Sequence, residues 1–184
     1  MNSELEVLRD VVTRLEGAAI PYMLTGSVAM SVYAEPRMTR DIDIVVELEA
    51  RDGPRMAELF SPDYYISDDA VHAAIAARGL FNVFNLDKLI KVDLIVHKDD
   101  PFQRHQFDRR SLHDLGGFSV AVIGKEDLIL SKLLWASAGE SAFQLRDVRK
   151  LLASGADAAY LHQWSVTLGV ADLLQRCLDA GYQP

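Results

Sequence analysis

The first seventeen residues carry apolar side chains at helical spacing behind a helix-start signal. Ser3 and Glu6 form an S-x-x-E capping box, in which each side chain satisfies a backbone N–H at the start of the helix. Apolar residues then recur at intervals of three and four positions: Leu5, Leu8, Val12 and Leu15. Because this spacing places them on one face, the pattern predicts a helix that ends at Gly17.

Between residues 20 and 123, strand-like runs alternate with helical segments. Apolar and β-branched residues predict strands at 22–25, 41–48, 80–86, 89–97, 110–115 and 118–123. Turn residues at Asp87-Lys88 and Gly116-Gly117 join the last four runs into two expected hairpins. Helices are predicted at 27–34, where Pro36 stops the helix, at 49–60, and at 70–77, where Asp68-Asp69 would cap it. The polar residues 99–108 are predicted as a loop or a short helix.

The periodicity changes near residue 124. Four segments with helical spacing follow, separated by glycines: 125–138, 141–153, 158–168 and 170–180. Trp135 and Trp164 are expected in the core of this part. The sequence therefore predicts an α+β protein with two domains, a mixed α/β core over 1–123 and a C-terminal helical bundle over 124–184.

The composition is that of an ordinary folded protein. Hydrophobic residues make up 49% of the 184 and charged residues 25%, which excludes a disordered or collagen-like chain. The single cysteine, Cys177, excludes an internal disulfide and fits a reducing compartment. The first ten residues are charged where a signal peptide is apolar, and no run of about 18 apolar residues is present. We expect a cytoplasmic protein with no membrane partner.

The net charge argues against general nucleic-acid binding. Lys and Arg number 19 against 27 Asp and Glu, which gives −8. DNA is therefore not an expected partner, although a local basic segment can still bind RNA. The most basic segment, residues 104–113, is either a solvated loop or such an RNA-acceptor surface. His97, His105 and His113 lack metal-ligand spacing, so zinc is not expected.

Asp41 and Asp43 form the first candidate site. They are one residue apart on a predicted strand, so both carboxylates point to the same side, while Ile42 and Ile44 point into the core. Adjacent carboxylates repel each other unless a cation lies between them, and oxygen ligands suit Mg²⁺ or Mn²⁺. A strand whose acidic side faces water is the alternative.

Gly26 and Ser27 lie where a predicted strand meets a predicted helix. Free backbone N–H groups favour an anion there, the glycine lets a phosphate approach, and the serine can cap the helix and bind the phosphate. A plain turn with an N-cap is the alternative. Thirteen residues lie between Ser27 and Asp41, so a phosphate cradle and a metal-binding pair together would suit a nucleoside triphosphate.

A third carboxylate, Asp93, lies within the apolar run 90–96. Lys91 and Asp93 share one side of this predicted strand, and apolar residues occupy the other. An acid in such a strand is costly unless it is paired or bound to a metal. An ion pair with Lys91 and a metal ligand both remain open for Asp93.

In this order the motifs resemble the nucleotidyltransferase superfamily of the DNA polymerase β type. The matching blocks are Gly26-Ser27 with Asp41-x-Asp43, Lys91-x-Asp93, the helical segment 125–133 with Lys132, and Arg146-Asp147. The chain is most similar to the AbiEii/AbiGii toxin-like branch and its relatives of unknown function, which include the MenT toxins. The resemblance covers residues 20–152.

Two positions depart from the toxin-like branch. Thr25 stands where the branch often has an additional glycine, and Lys150 stands where it often has a second aspartate. The change at Lys150 puts in doubt any role that needs two acids on that helix.

The resemblance implies a polymerase-β-like mixed sheet with flanking helices, and a role for each motif. Asp41, Asp43 and Asp93 would bind Mg²⁺ or Mn²⁺, and Asp93 would complete the metal site or accept the proton of the acceptor hydroxyl. Lys132 would act with them by neutralising triphosphate charge. The expected nucleotide-binding residues are Gly26, Ser27, Arg40, Lys91, Lys132, Arg146 and Asp147. A surface lysine is the alternative for Lys132, and a helix ion pair is the alternative for Arg146-Asp147.

The implied function is transfer of an NMP from an NTP to a hydroxyl of a macromolecule. The acceptor would be RNA, such as tRNA, or a protein, and the chain could belong to a toxin–antitoxin pair with a cognate partner protein. A small-molecule acceptor is a further alternative. A function of a different class also stays open, a non-catalytic, antitoxin-like module that masks a partner and does not depend on Asp41 and Asp43.

Overall fold

The computed structural model describes residues 3–35, 41–139 and 141–181. Within these ranges the helices are α1 (Ser3–Gly17), α2 (Gly26–Met30), α3 (Gly53–Phe60), α4 (Asp68–Ala77), α5 (Pro101–Asp108), α6 (Lys125–Gly139), α7 (Ala142–Ala153), α8 (Ala158–Thr167) and α9 (Ala171–Ala180). The strands are β1 (Tyr22–Thr25), β2 (Asp41–Val46), β3 (Tyr64–Ile66), β4 (Leu80–Asn85), β5 (Ile90–Val96), β6 (Ser111–Asp114) and β7 (Ser119–Val122). A 3₁₀ turn at Ala50–Asp52 precedes α3.

The strands form one mixed sheet in the order β3-β4-β5-β2-β1-β7-β6. Strands β2 and β5 are parallel, as are β1 and β7. The other neighbouring strands are antiparallel, including the predicted hairpins β4-β5 and β6-β7. The predicted α+β class, with a mixed sheet, flanking helices and a helical C-terminal part, is confirmed.

Period-two alternation divides the central strands into a buried and a polar side. Ile42, Ile44, Val92 and Leu94 are fully buried on one side of β2 and β5. Helix α4 contacts β4 and β5. Because successive strand residues point to opposite sides, the acidic residues of β2 and β5 lie on the other side of the sheet.

Some boundaries differ from the sequence prediction. Helix α2 begins at Gly26 instead of Ser27 and ends at Met30 instead of Ala34, because the N–H groups of Tyr33 and Ala34 both bond to the Met30 carbonyl in a tight turn. Strand β2 ends at Val46 and not at Leu48. Strand β3 was not predicted, since three residues are too few to show an alternating pattern.

One helix cap and one tryptophan also differ from the prediction, whereas the short-helix alternative for residues 99–108 is confirmed. Ser67 caps α4 by accepting a hydrogen bond from the Ala70 N–H, so Asp68 and Asp69 lie in the first turn and do not cap the helix. Residues 101–108 form a helix that Asp100 caps. Trp135, expected in the core, is 54% exposed, because it lies on the outer side of α6.

The described residues pack as two compact units. The first contains residues 3–29 and 41–123 with the whole sheet, and the second contains residues 30–35, 124–139 and 141–181 with α6–α9. The domain boundary near residue 124 stays a prediction. None of the helices in the described ranges is long and apolar enough to cross a membrane.

Candidate active site

Asp43 and Asp93 are direct neighbours in the sheet. They are register partners across the parallel pair β2-β5, so their side chains leave the same side of the sheet. Thr25 of β1 lies opposite Asp43, and Asn82 of β4 lies opposite Asp93. With strands roughly 4.8 Å apart, four adjacent strands thus form one polar row, which we call the acid row: Thr25, Asp43, Asp93 and Asn82.

Lys91 connects the acid row to Asp41. Its Nζ lies 3.0 Å from Oδ2 of Asp93 and 3.6 Å from Oδ1 of Asp41, which is its register partner on β2. Burial alone would lower the pKa of Lys91, but the hydrogen bond to Asp93 and the charges of Asp93, Asp41 and Asp43 raise it above its ordinary value. The ammonium therefore stays charged and partly neutralises the three carboxylates.

Asp93 is held at both of its carboxylate oxygens. Lys91 donates a hydrogen bond to Oδ2, and the Asn82 side-chain amide donates a short one to Oδ1. The ion pair with Lys91, one of the two interpretations of Asp93, is therefore present. The metal-ligand interpretation stays a prediction.

Exposure increases along the acidic residues. Asp43 is buried, with 9% of its surface exposed. The Asp93 side chain is 16% exposed, and the Asp41 side chain is 58% exposed. Two adjacent, mostly buried carboxylates are costly, and the cost falls when a cation compensates their charge. The interpretation of Asp41-x-Asp43 as a plain solvated strand side is wrong for Asp43.

Gly26 packs directly against Asp43. A Cβ atom at position 26 would lie 2.7 Å from Cγ and 2.9 Å from Cβ of Asp43, which is closer than real side chains approach. Gly26 also has a backbone φ of +68°, which residues with a side chain rarely adopt. The backbone can approach the acid row here only because residue 26 is glycine. Ser27 follows Gly26 and is also buried, with 8% of its surface exposed.

The donor set fits a hard divalent cation. Asp41, Asp43 and Asp93 offer carboxylate oxygens only, which suits Mg²⁺ or Mn²⁺ and argues against zinc. Over 3–35, 41–139 and 141–181, no three His, Cys, Asp or Glu side chains surround a common point as metal ligands do. The Lys91 ammonium lies between Asp41 and Asp93 instead.

Lys132 and Asp147 form a buried pair within the helical unit. Lys132 Nζ lies 2.8 Å from Oδ2 of Asp147 and 3.1 Å from Oε1 of Gln144. The two charged side chains are 4% and 3% exposed. Lys132 is therefore not the surface lysine that was the alternative, and Asp147 pairs with Lys132 across helices α6 and α7.

The structure thus divides the predicted site residues into two groups. Gly26, Ser27, Asp41, Asp43, Lys91 and Asp93 belong to the sheet-bearing unit, and Lys132, Arg146 and Asp147 belong to the helical unit. Arg146 is exposed. Arg40 lies outside the described residues.

Asn82 is a site residue that the sequence analysis missed. A two-residue turn at Asp87-Lys88 pairs positions 86 and 89, and the same register places Asn82 opposite Asp93. The signal was therefore present in the predicted hairpin. Tyr65 and Phe84, register partners on the same side of β3 and β4, were also missed; they are 61% and 40% exposed.

No family model matches the sequence, and no curated protein matches it either. Solved structures do match in fold. A nucleotidyltransferase-like antigenic protein from Paracoccidioides brasiliensis is 16% identical, with a TM-score of 0.59 over 100% of this chain and 95% of that one.

Two antibiotic-modifying proteins have similar folds. The antibiotic-resistance factor ANT(2'')-Ia, solved with adenylyl-2''-tobramycin, is 14% identical, with a TM-score of 0.57 over 91% of this chain and 98% of that one. The lincosamide antibiotic adenylyltransferase LnuA, bound to lincomycin, is 16% identical, with a TM-score of 0.55 over 84% and 98%. The chain therefore has a nucleotidyltransferase fold.

Proposed function

We propose that this protein is a metal-dependent nucleotidyltransferase that moves an NMP from an NTP to a hydroxyl of a macromolecular acceptor. The observation that carries the proposal is the register of Asp43 with Asp93, with Gly26 packed against Asp43. Nucleotidyl transfer needs clustered carboxylates beside a backbone that a triphosphate can approach. The acid row and Gly26 are the proposed source of both. The shared fold supports the same function.

The three aspartates would supply the ligands of Mg²⁺ or Mn²⁺. When bound, the ion would neutralise triphosphate charge and polarise the α-phosphate. Lys91 and Asn82 hold the Asp93 carboxylate in place through their hydrogen bonds. Lys91 also limits repulsion among the acids before a nucleotide arrives.

Gly26 and Ser27 are proposed to bind the β- and γ-phosphates. Gly26 has no side chain to keep a phosphate away from the backbone, and the Ser27 hydroxyl is a potential hydrogen-bond donor to it. The assignment of Arg40, Lys132, Arg146 and Asp147 to nucleotide binding stays a prediction, which NTP titrations of their variants would test.

In the proposed reaction the acceptor hydroxyl attacks the α-phosphate in line with the leaving group. A bond forms between the acceptor oxygen and the α-phosphorus, and the bond between the α-phosphorus and the bridging oxygen breaks. Pyrophosphate leaves with that electron pair. Asp93 is the proposed acceptor of the hydroxyl proton.

RNA and protein are the proposed acceptors, and a toxin–antitoxin role belongs to the same proposal. Tyr65 and Phe84 lie in the register row that continues through Lys91 to Asp41, on the side of the sheet that bears the acids. Exposed aromatic rings in this position suit an acceptor with a flat or apolar group, such as a nucleobase.

The test is incubation of the purified protein with Mg²⁺ and each α-³²P-labelled NTP. Total RNA, cell lysate, and an aminoglycoside and a lincosamide are supplied as separate acceptors, the last two because similar folds belong to proteins of antibiotic modification. Label that resists protease but not nuclease identifies RNA, and the reverse identifies protein.

A variant with Asp41→Ala and Asp43→Ala is expected to abolish labelling. Asp87→Ala is the matched control, because its side chain is 89% exposed at the β4-β5 turn. The alternative of a non-catalytic module that masks a partner predicts no labelling by the native protein, together with an effect in cells that the double variant retains.

A further inference from the structure

A cavity lies at the carboxyl ends of the central strands β2 and β5, beyond the acid row. Its volume is about 290 Å³, and Glu47 and His97, which directly follow β2 and β5, line it together with Pro21, which precedes β1. Glu47 lies four positions after Asp43, and His97 lies four positions after Asp93, which is roughly 13 Å of extended strand. The cavity is therefore a different place on the same unit.

Parallel strands end at this cavity. The backbone there is continuous with the sheet, since the His97 N–H bonds to the Val46 carbonyl at 2.9 Å and the Glu47 N–H bonds to the Pro21 carbonyl at 2.9 Å. In open α/β sheets, ligands bind outside the carboxyl ends of parallel strands. In this mixed sheet the parallel pair β2-β5 presents its carboxyl ends to the cavity.

Arginines provide most of the cationic groups that line the cavity. Arg78 donates hydrogen bonds to the carbonyls of His97 (3.1 Å) and Leu48 (3.4 Å). Arg110 donates a short one to the Phe107 carbonyl, and its guanidinium carbon lies 4.0 Å from the centre of the Phe107 ring. Backbone and ring contacts thus hold both guanidinium groups in place while further N–H donors remain.

Carboxylates do not neutralise these two arginines. In the described part of the chain, neither Arg78 nor Arg110 has a carboxylate within ion-pair distance, whereas Arg104 pairs with Asp99 at 3.1 Å. The remaining lining acids, Glu47 and Asp108, are exposed to water. Both positioned guanidinium groups are therefore without an ion-pair partner among the residues that the structure describes.

The Phe107 ring already contacts two side chains of the cavity wall. Arg110 lies over its ring, and the His97 ring lies 4.7 Å from it. His97 is 7% exposed, and within the described residues its Nε2 has no hydrogen-bond partner, so the wall of the cavity also contains an unsatisfied polar atom. A ligand here would be recognised by its charge.

We propose that this cavity binds a small molecule that bears a phosphate group, through Arg78, Arg110 and Arg104. Planar guanidinium groups bind phosphate in a bidentate manner, and a phosphate monoester offers the doubly negative charge and terminal oxygens that several arginines can share. The volume leaves room for the phosphate and a small organic group. The proposal does not depend on the proposed transferase function.

The test is calorimetric titration of the full chain with glycerol 3-phosphate at low salt. EDTA and the absence of NTP keep metal-dependent binding at the acid row out of the measurement. Glycerol and acetate are the matched ligands without a phosphate. We expect glycerol 3-phosphate to bind, glycerol not to bind, and acetate to bind more weakly.

Arg78→Gln and Arg110→Gln are each expected to weaken binding at least about tenfold, since each removes charge-assisted hydrogen bonds. Arg51→Gln is the control, because Arg51 pairs with Glu49 outside the cavity and its loss changes the net charge equally. Arg104→Gln is also expected to weaken binding. Because the Arg104 side chain is 57% exposed, this substitution carries little risk to folding.

Amide NMR shifts of the native protein make the result independent of variant folding. We expect shifts induced by glycerol 3-phosphate at His97, Phe107 and Arg110. Binding equal to that of glycerol, equal loss in Arg51→Gln, or shifts centred on Asp43 and Asp93 would each overturn the proposal.

Discussion

Gly26 and Asp43 constrain each other at the end of β1. The position of Asp43 leaves no room for a side chain at residue 26, and the φ of +68° penalises any residue other than glycine. Replacement of Gly26 therefore affects both the backbone and an acid of the proposed centre.

Gly26→Ala is expected to cost about 1–2 kcal/mol of unfolding free energy from the backbone alone, and more from displacement of Asp43. Since a misplaced group can cost about a hundredfold in rate, NMP transfer should fall by at least that factor. Urea unfolding and label transfer measure the two effects.

Gly116→Ala is the control for this change. Gly116 has a φ of +73°, but a Cβ there would meet only Leu5 Cδ1 at 3.6 Å, an ordinary contact. It should lose similar stability and retain transfer. Equal losses of transfer in the two variants would contradict a specific role of Gly26 beside Asp43.

Lys91→Met tests the balance of charge in the acid row. Removing the ammonium leaves three carboxylates with less compensation, so unfolding free energy without metal should fall by about 1–3 kcal/mol. Mg²⁺ should restore more stability to Lys91→Met than to the native protein, measured by thermal unfolding over a Mg²⁺ series. Equal Mg²⁺ responses would argue against metal binding by these acids.

Tyr22 makes the unfolding free energy depend on pH in the alkaline range. Burial, followed by its hydrogen bond to Glu16, raises the pKa of Tyr22 to about 12 from 10. Between these two pH values the Tyr22 hydroxyl keeps its proton in the folded state and loses it in the unfolded state. The contribution of Tyr22 to the unfolding free energy is therefore complete below pH 10 and is lost as the pH rises toward 12.

Tyr22→Phe should therefore lose less unfolding free energy between pH 10 and about 12 than the native protein, as measured by urea titration. Tyr33 and Lys91 also have raised pKa values and act in the same direction, so part of the alkaline loss should remain in the variant. A pH profile unchanged by Tyr22→Phe would contradict this assignment.

Helices α6 and α7 depend on a buried charge pair. Lys132→Met alone leaves Asp147 buried without its cation and should cost about 3–5 kcal/mol of unfolding free energy. A double variant with Asp147→Leu should recover most of this loss, since apolar replacement of a buried pair is often neutral.

Lys125→Met is the control on the same helix. Its ammonium donates to the Ser154 and Gly155 carbonyls at an exposed place, so its loss should cost only about 1 kcal/mol. Urea unfolding of the native protein, the Lys132→Met variant, the double variant and Lys125→Met measures these changes in unfolding free energy. A double variant no more stable than Lys132→Met would contradict the coupling between Lys132 and Asp147.

Local patterns of the strands made much of the candidate site predictable. Alternation placed Asp41 with Asp43 and Lys91 with Asp93, and the Asp87-Lys88 turn set the register of β4 on β5. The pairing of Asp43 with Asp93 was not predictable from local pattern, because β2 and β5 are parallel and distant in sequence and no turn sets their register. The same limit hid Gly26 against Asp43.

Burial in the helical unit was harder to predict than its helices. All four helices follow the predicted periodicity, yet Lys132 is buried and Trp135 is exposed. Which face of a helix is covered depends on its neighbours, here α7, α8 and α9 around α6. A lysine with an acidic partner on α7 can be buried, and the sequence of α6 alone does not show that partner.

On the scale of the whole chain, the two compact units of the structure are not two continuous segments of sequence. Residues 30–35 pack with α6–α9 although they lie within the first 123 residues of the sequence. The fold likeness to nucleotidyltransferases spans the entire chain, so both units belong to the shared architecture. The net charge of −8 leaves binding of an anionic substrate to local groups.

Single-turnover reactions with α-³²P- and γ-³²P-labelled NTP test whether the acid row carries NMP transfer. We expect the α-label to enter the acceptor and the γ-label to leave as pyrophosphate. Asp43→Asn should abolish both events, whereas Asp87→Asn should not. Label from the γ-position in the acceptor, or full transfer by Asp43→Asn, would contradict this expectation.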